Sequence, residues 1–393
     1  MKKTILIATL ILLLLFEFVR VYLIMPMPGS QNFNSIDFAY FLGANKLIIR
    51  LIGYVLVIIP FVLIYKKLTK KDKIIIGLLT IFYLFIFYVF TFKMEADKLF
   101  YQPTQVVTAS LAHNKIPSNK LVIGLVVDSV ASAYPIQLIG YHHQVVDTIN
   151  GKPIMVTYCT VCRTGRVYSP IINGKQEIFR LVGMDHFNAM FEDATTKSWW
   201  RQSNGECIAG PLKGYRLAEI PSVQLTLAAW SRKYPATKVL QADHVFKAQF
   251  AKMDSYDKGK SNGGLTKRDT ASWKSKSWVL GIQVGENART YDWNQLVNMR
   301  ILQDSLPNSP LLILLENDTA SFHTYSRKMN NTILTFTMHQ DLILDVNTGS
   351  IWNYDGVCID GKLKGSVLSS VSSYQEFLHS WEFFHPKSSR FNR

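Results

Sequence analysis

The sequence predicts N-terminal transmembrane helices followed by a β-rich α+β domain that is built from two tandem repeats. Three long apolar segments precede residue 95, and the remaining chain matches itself at a nearly constant offset. Short apolar runs separated by Asn-Gly and Asp-Gly turns indicate that both copies are rich in β-structure. With 393 residues, the chain is long enough for two or three domains.

The N-terminal segment predicts a three-helix membrane anchor over residues 1–94. Residues 4–24, 47–65 and 74–92 are apolar, and each is about the 20 residues that cross a bilayer core. The first apolar run is longer than the apolar core of a signal peptide and no A-x-A site follows it, so we expect a retained helix. Glu17 and Arg20 lie one turn apart in it and are expected to pair.

Basic residues predict the orientation of this anchor. They precede the first helix and fill the loop between the second and third, which places both regions in the cytoplasm. These residues are Lys2, Lys3, Lys66, Lys67, Lys70, Lys71 and Lys73. Three spans then place everything after about residue 95 outside the cytoplasm. We therefore expect a cell (inner) membrane protein with a periplasmic or extracellular C-terminal domain.

The self-match has two registers. An offset of 157 pairs Gly124 with Gly281, and likewise Tyr134 with Tyr291. After a few deleted residues an offset of 151 pairs further positions, which are Gly205 with Gly356, Cys207 with Cys358, Gly210 with Gly361, and Trp230 with Trp381. Such a match predicts two similar structural units. We place a juxtamembrane segment at 95–120, the first unit at 121–243, a Gly/Ser/Lys-rich linker at 244–276, and the second unit at 277–388.

Each unit is expected to contain the same kinds of element. The runs LVIGLVV, WVLGIQV, IMVTYC and LLILLE predict buried strands. Two hairpins are expected per unit, with Asn-Gly turns near residues 173 and 204 of the first. VQLTLAAWSRKYP and YQEFLHSWEFFHP predict one amphipathic helix each, with Trp230 and Trp381 packing these helices onto the sheets.

Part of the net charge of +15 comes from the basic residues that flank the apolar helices and indicate their orientation. The rest is spread through the soluble part, with a cluster between Lys252 and Lys276 that suits a solvated linker facing anionic lipid. The expected partners are the lipid bilayer and an envelope protein or electron partner. No nucleic-acid recognition motif is present, and nucleic acid is not expected as a partner.

The soluble part resembles the family of unknown function numbered 3179. The resemblance lies in the Ala-Tyr-Pro segment at 133–135, Gly151 to Cys162 (GKPIMVTYCTVC), Asp193 to Trp200, and Gly210 to Leu217. It covers roughly residues 100–388. The resemblance implies an envelope-exposed, often membrane-anchored protein, and it implies no reaction, so a function must come from the residues.

The candidate site lies where the two copies differ. Cys159 and Cys162 form a C-x-x-C whose counterparts at the 157-residue offset are a glutamate and a threonine. Such a pair suits a reversible disulfide or two soft metal ligands. Arg163 follows directly, and a neighbouring cation lowers a thiol pKa.

Histidines and a methionine extend this candidate set. His142 and His143 precede the C-x-x-C strand, and Met184 and His186 follow the strand FRLVG. Together with the two cysteines they form a sulfur and nitrogen ligand set that suits copper, or zinc without the methionine. The leading hypothesis is therefore a copper-type metal-binding or redox site in the first repeat, with the second repeat as a structural partner.

Two alternatives remain open. The first is thiol–disulfide exchange with Cys159 as the attacking thiolate, although no thioredoxin-like pattern surrounds the motif. The second is a non-catalytic envelope scaffold in which Cys159 and Cys162 form a structural disulfide. Cys207 and Cys358 are expected to be small buried residues, and a disulfide between them is the alternative.

Other reaction classes lack their motifs. The chain contains no G-x-S-x-G, H-E-x-x-H, Walker loop or dinucleotide fingerprint. The C-x-x-C is not followed by histidine, which disfavours covalent haem. Whether the protein is an enzyme stays open at this point.

Overall fold

The computed structural model describes residues 1–392, which divide into two compact units. The first, called the helical unit, comprises Met1–Tyr101 and Glu177–Arg216. The second, called the β-rich unit, comprises Gln102–Gln176 and residues 217–392. Residues 177–216, which fall inside the predicted segment 121–243, therefore pack with the N-terminal helices.

The helices are short outside the N-terminal region. In chain order they are α1 (Lys2–Tyr22), α2 (Ile36–Ala44), α3 (Lys46–Ile64), α4 (Lys70–Phe92), α5 (Ala96–Leu99), α6 (Ile136–His142), α7 (Leu227–Lys233), α8 (Lys247–Lys252), α9 (Trp293–Met299) and α10 (Leu378–Phe384).

The strands fall into two runs along the chain. The first run is β1 (Thr108–Ser110), β2 (Leu121–Val127), β3 (Val130–Pro135), β4 (Gln144–Ile149), β5 (Lys152–Cys159), β6 (Thr164–Tyr168), β7 (Ile171–Ile172), β8 (Lys175–Gln176), β9 (Phe179–Asp185), β10 (Asn188–Asp193), β11 (Trp199–Arg201), β12 (Cys207–Ala209), β13 (Ser222–Thr226) and β14 (Lys238–Leu240).

The second run begins after a gap of 37 residues without a strand, from 241 to 277. It is β15 (Trp278–Val284), β16 (Asn287–Asp292), β17 (Ile301–Leu306), β18 (Ser309–Leu315), β19 (Phe322–Ser326), β20 (Lys328–Met329), β21 (Thr332–Ile333), β22 (Phe336–His339), β23 (Leu342–Asp345), β24 (Ile351–Trp352), β25 (Cys358–Asp360), β26 (Ser373–Phe377) and β27 (Ser389–Arg390).

Three helices of the helical unit are long and apolar enough to span a membrane, as predicted. A buried ion network joins them. The Glu17 carboxylate, which is fully buried, accepts hydrogen bonds from Arg50 at 2.7 and 2.8 Å. Arg20 lies 3.4 Å from the same carboxylate, which confirms the predicted pair. Because buried charges are stable only when paired, this network favours one arrangement of α1 and α3.

A four-stranded antiparallel sheet completes the helical unit, in the order β12-β11-β10-β9. Tyr40 of α2 packs edge-on against Trp199 of β11 at a ring distance of 5.1 Å. The Met184 amide of β9 donates to the Ile24 carbonyl at 2.7 Å. These contacts fix the sheet against the ends of the apolar helices.

The β-rich unit contains seven small sheets. Their orders are β1-β14-β3-β2-β13, β4-β5-β6, β7-β8, β26-β15-β16-β27, β17-β18-β19, β20-β21 and β22-β23-β24-β25. The predicted Asn-Gly hairpin is confirmed, since Asn173 and Gly174 turn with positive φ between β7 and β8. The four predicted apolar strands are confirmed as β2, β5, β15 and β18.

The two predicted amphipathic helices are half as long as expected. The residues before α7 form β13, which pairs with β2, and those before α10 form β26, which pairs with β15. Val223 and Thr226 are β-branched, and the side chain of Gln224 is buried, so this run suits a strand better than a solvent-facing helix turn.

Helices α7 and α10 pack onto glycines of the neighbouring strands through Trp230 and Trp381. This agrees with the prediction that these tryptophans pack the helices onto the sheets. A Cβ atom on Gly124 would lie 2.4 Å from the Trp230 ring, and one on Gly281 would lie 2.1 Å from the Trp381 ring. Trp230 and Trp381 are 1% and 0% exposed. The glycines are therefore required for close approach of helix and sheet.

Part of the predicted linker 244–276 packs into the β-rich unit. It contains α8, and its Tyr256 and Asp257 are buried. The Lys120 ammonium donates to the Asp254 carboxylate at 2.7 Å. This segment therefore contributes to the core beside the C-x-x-C motif as well as connecting two parts of the chain.

Candidate functional site

The two cysteines of the C-x-x-C motif lie together in the core of the β-rich unit. Cys159 is the last residue of β5, as predicted, and Cys162 lies in the turn that leads to β6. Both are 0% exposed, and their thiols are hydrogen-bonded to each other. The turn is fastened to β26, because the Phe377 amide donates to the Cys162 carbonyl at 2.9 Å.

Side chains from β26 and α10 surround the thiol pair. The Ser380 hydroxyl is hydrogen-bonded to Cys162 and donates to the Glu376 carboxylate at 2.8 Å. Burial, followed by the hydrogen bond with Cys159, raises the pKa of the Cys162 thiol well above its usual range. Cys162 is therefore protonated at neutral pH in this environment.

A lysine and a histidine lie beside the same turn. The Lys276 ammonium donates to the carbonyls of Val161 and Leu265, each at 2.7 Å, and lies 3.1 Å from His379 Nε2. Burial lowers the pKa of Lys276, and both thiols act in the opposite direction by favouring its charge. Burial, then Lys276, lowers the pKa of His379 to about 4. Lys276 is thus a cation that interacts electrostatically with both sulfurs. The neutral imidazole of His379 lies next to it.

Arg163 takes a role different from the predicted one. Its Nε donates to Gln375 Oε1 at 2.8 Å, and its guanidinium stacks 3.7 Å from the centre of the Trp278 ring. The side chain is 1% exposed. The pKa of Cys162 is raised chiefly by burial, so an effect of Arg163 on a thiol pKa stays a prediction. The aromatic ring and the amide hold this cation.

A buried ion pair between Arg166 of β6 and Glu376 of β26 lies close to the thiols. Arg166 Nη2 is 2.8 Å from Glu376 Oε1, and the two side chains are 2% and 1% exposed. Thr164 also donates to Glu376 Oε1 at 2.8 Å. The Arg166 guanidinium lies 3.3 Å from the centre of the Tyr374 ring. Glu376 therefore links the arginine of β6 to the serine that contacts Cys162.

His142 and His143 are buried at the end of α6. The His142 ring packs edge-on against Phe246 at 5.0 Å and Phe250 at 5.5 Å. His143 has a left-handed backbone, with φ of 62°, and its Nδ1 lies 3.2 Å from the Tyr141 carbonyl. Burial lowers the pKa of His143 to about 4. Both imidazoles thus belong to the core around α6 and α8.

Met184 and His186 belong to the helical unit. Met184 is a mostly buried residue of β9. His186 lies in the tight turn between β9 and β10, where its Nδ1 is 2.7 Å from Asp185 Oδ1. Burial alone would raise the pKa of Asp185, but hydrogen bonds from His186 and Arg201 lower it. The geometry of His186 is that of a turn residue paired with a carboxylate.

All four cysteines, which lie among the described residues, carry thiols. The Cys207 thiol donates to the Ala209 carbonyl at 3.5 Å, and the Cys358 thiol donates to the Asp360 carbonyl at 3.3 Å. Burial raises the pKa of Cys207 to about 11. These two cysteines behave as the small buried residues that the sequence predicts.

Within residues 1–392, no group of three or more His, Cys, Asp or Glu side chains is arranged to hold a metal ion. What the structure assembles is a two-sulfur site with an ammonium beside it. Two buried sulfur donors suit either a soft monovalent metal or oxidation to a disulfide.

The sequence did not identify Lys276, His379 and Ser380 as neighbours of the thiols. All three lie more than 100 residues from Cys162 along the chain. The available signal was the self-match of the sequence, since α10 follows β26 as α7 follows β13. The charge cluster ending at Lys276 was visible in the sequence, but its residues were assigned to a solvated linker.

A model described as Protein of unknown function (DUF3179) matches residues 101–388. Searches of curated proteins and of solved structures returned no match. The family match agrees with the resemblance found in the sequence and brings no reaction with it.

Proposed function

The chain belongs to the DUF3179 family, whose description names no activity, and we therefore propose a function from the residues of the chain itself. We propose that Cys159 and Cys162 bind one soft metal ion, copper(I). The domain would hold this ion outside the cytoplasm on a membrane anchor. One observation carries the proposal: two hydrogen-bonded thiols are buried beside the Lys276 ammonium. The proposal covers binding or delivery of the metal and names no catalysed reaction.

Charge balance favours a monovalent ion. Copper(I) held by two thiolates has a net charge of −1, and an isolated buried charge is costly. The Lys276 ammonium interacts electrostatically with both sulfurs and supplies the opposite charge. The Ser380 hydroxyl, which donates to Glu376, is also within hydrogen-bond distance of the Cys162 sulfur.

The donor set favours copper over zinc. Zinc in proteins usually takes four ligands, or three with a water. The described residues contain no group of three suitable side chains, whereas two thiolates suffice for copper(I). His142, His143, His186 and Met184 are therefore left out of the proposed ligand set, because each has another place in the fold.

Thiol–disulfide exchange with a protein partner is the second candidate. The mutual hydrogen bond of the thiols favours a disulfide between them. However, exchange needs an accessible thiolate, whereas both sulfurs are fully buried and the pKa of Cys162 is raised by burial. A buried pair is better suited to holding an ion than to attacking another protein.

We also propose that the soluble part arose from two tandem repeats. Tyr134 donates to Asp147 at 2.7 Å, and Tyr291 donates to Asp304 at the same distance, both pairs being related by the offset of 157. Gln224 and Gln375 are related by the offset of 151 and hydrogen-bond to each other at 2.9 Å. The second copy contributes β26 and α10 to the thiol environment.

The membrane placement belongs to the same proposal. Three helices of sufficient length and the basic loop of residues 66–73 support an anchor with a cytoplasmic N-terminus. The metal site would then face the periplasm or the outside of the cell. An envelope protein that receives or supplies the ion is the expected partner, together with the bilayer itself.

The test is a copper(I) titration of the full-length protein in detergent under anaerobic conditions. A chromophoric copper(I) chelator competes for the ion, and the stoichiometry is read from its absorbance. We expect one ion per chain, with Cys159→Ser and Cys162→Ser each abolishing competition. Lys276→Met should weaken binding about tenfold, which corresponds to about 1.4 kcal/mol for one lost charge contact.

Cys358→Ser provides the matched control, because Cys358 is also buried and its hydroxyl replacement keeps the bond to the Asp360 carbonyl. This variant should bind copper(I) as the unaltered protein does. If it loses the ion as the motif variants do, or if all variants retain it, the dithiol is not the metal site.

A further inference from the structure

A cavity lies in the β-rich unit, apart from the thiol pair. Its volume is about 360 Å³, within the range of roughly 300–1,000 Å³ that is typical of small-molecule sites. It opens between β2 and β13 on one side and β19 with residues 370–373 on the other. The lining residues used below are Leu225, Trp230, Lys233, Tyr234, Ser222, Ser370, Phe322 and His323.

The floor of the cavity is apolar. Leu225, Trp230 and Phe322 are 2%, 1% and 4% exposed. Trp230 is held in place by its close contact with Gly124, and its Nε1 donates to Thr237 at 2.8 Å. A ligand body that displaces water from this floor should therefore be apolar or aromatic.

The rim offers hydrogen-bond donors. The hydroxyls of Ser222, Ser370 and Tyr234 make no side-chain hydrogen bond to another described residue. The Lys233 ammonium is partly exposed and forms an ion pair with the Asp355 carboxylate at 3.7 Å, a distance at which it donates no hydrogen bond to that group. An ammonium can only donate, so the group that meets it must be an acceptor.

The remaining charges near the cavity are neutralised among themselves. His323 Nε2 lies 2.8 Å from Glu316, and Arg232 lies 2.7 Å from the same carboxylate. Burial alone would raise the pKa of Glu316, but these hydrogen bonds lower it. None of the described residues that line the cavity is an aspartate or glutamate. Lys233 is therefore the charge that a ligand would meet.

The cavity is lined by residues of both copies, and the place related to it by the offsets of 157 and 151 is filled. Arg166, which lies 157 residues before His323, packs over Tyr374 and pairs with Glu376. An arginine, a tyrosine and a glutamate thus meet at that related place. Only one of the two related places is therefore an open cavity.

From this geometry we infer that the cavity binds a small organic carboxylate with an apolar or aromatic body. The carboxylate meets the Lys233 ammonium and the hydroxyls of Ser222 and Ser370, and the body lies on Trp230 and Leu225. This site is independent of the thiol pair and does not require a metal ion.

The test measures binding of three probes to the full-length protein in detergent by calorimetry. The probes are phenylacetate, 3-phenylpropionate and hexanoate, each compared with its neutral amide. We expect at least one carboxylate to bind saturably and about tenfold more tightly than its amide. Lys233→Met should weaken that binding about tenfold, and Ser370→Phe, which places a ring in the mouth, should abolish it.

Lys238→Met is the matched control, because Lys238 is an exposed lysine of β14 outside the cavity lining. It should leave probe binding unchanged, and both lysine variants should keep the melting temperature of the unaltered protein. The inference is overturned if no carboxylate binds saturably below about 10 mM. It is equally overturned if the amides bind as tightly, or if Lys233→Met and Lys238→Met behave alike.

Discussion

Glu376 links the buried arginine of β6 to the thiol environment, and Glu376→Gln tests that link. The substitution keeps the shape of the side chain and removes its charge. Arg166 would then be a guanidinium that is 2% exposed, with Glu219 at 3.6 Å as its remaining carboxylate contact. Removing one partner of a buried pair costs about 3–5 kcal/mol. Because Glu219 and the Tyr374 ring still contact the cation, we expect about 3 kcal/mol.

Thermal unfolding of the full-length protein, followed by tryptophan fluorescence, measures this effect. One kcal/mol lowers the melting temperature by about 2–4 °C for a domain of 150–250 residues, so a fall of about 6–12 °C is expected. Glu382→Gln is the control, because its pair with Arg390 is about 40% exposed and such pairs contribute about 0–1 kcal/mol.

A second variant separates the lost pair from the stranded charge. Arg166→Met combined with Glu376→Gln leaves no buried cation, so it should recover most of the lost melting temperature. Equal small shifts for Glu376→Gln and Glu382→Gln would refute the reasoning. Failure of the double variant to recover would show that the cost comes from the hydrogen bonds of Glu376 and not from its charge.

Two further predictions concern the core. Gly281→Ala should destabilise the protein by about 2–3 kcal/mol, since its Cβ would lie 2.1 Å from Trp381, whereas Gly264→Ala, which meets no atom within 4 Å, should not. Folding lowers the pKa of His143 from 6.5 to about 4, so the unfolded chain binds a proton more readily than the folded one. The contribution of His143 to the free energy of unfolding is therefore full above pH 6.5 and is lost as the pH falls from 6.5 to 4. The loss amounts to about 2 kcal/mol by pH 5. His143→Asn, which suits the left-handed backbone, should remove that part of the acid sensitivity in unfolding titrations, and His244→Asn, an exposed control, should leave it.

The apolar helices and most strands of the soluble part were predictable, because their signals are local. Runs such as residues 121–127 and the Asn-Gly turn at 173–174 follow directly from hydrophobic pattern and turn chemistry. The match of Trp230 with Trp381 at the offset of 151 also indicated where helices pack against sheets. By contrast, the pattern predicts a helix from Val223 onward, where the structure has the strand Ser222–Thr226, since an alternation of five residues is easily absorbed into a longer helical pattern.

The site was only partly predictable for the same physical reason. The C-x-x-C and its position at a strand end are local features, and the structure has them there. Ser380, on α10, and Lys276, just before β15, meet the thiols only through tertiary packing, and no spacing in the sequence encodes that contact. His142 and His143 are candidate ligands by sequence because they are adjacent, yet the His142 ring packs against Phe246 and Phe250, about 100 residues later.

The most direct measurement of the central proposal is the metal content of the full-length protein, purified anaerobically, compared with the Cys159→Ser/Cys162→Ser double variant. The account predicts close to one copper per chain in the unaltered protein and none in the double variant, while Cys358→Ser retains the metal. Absence of copper from the unaltered protein, even after incubation with copper(I), would contradict it, as would copper that persists in the double variant.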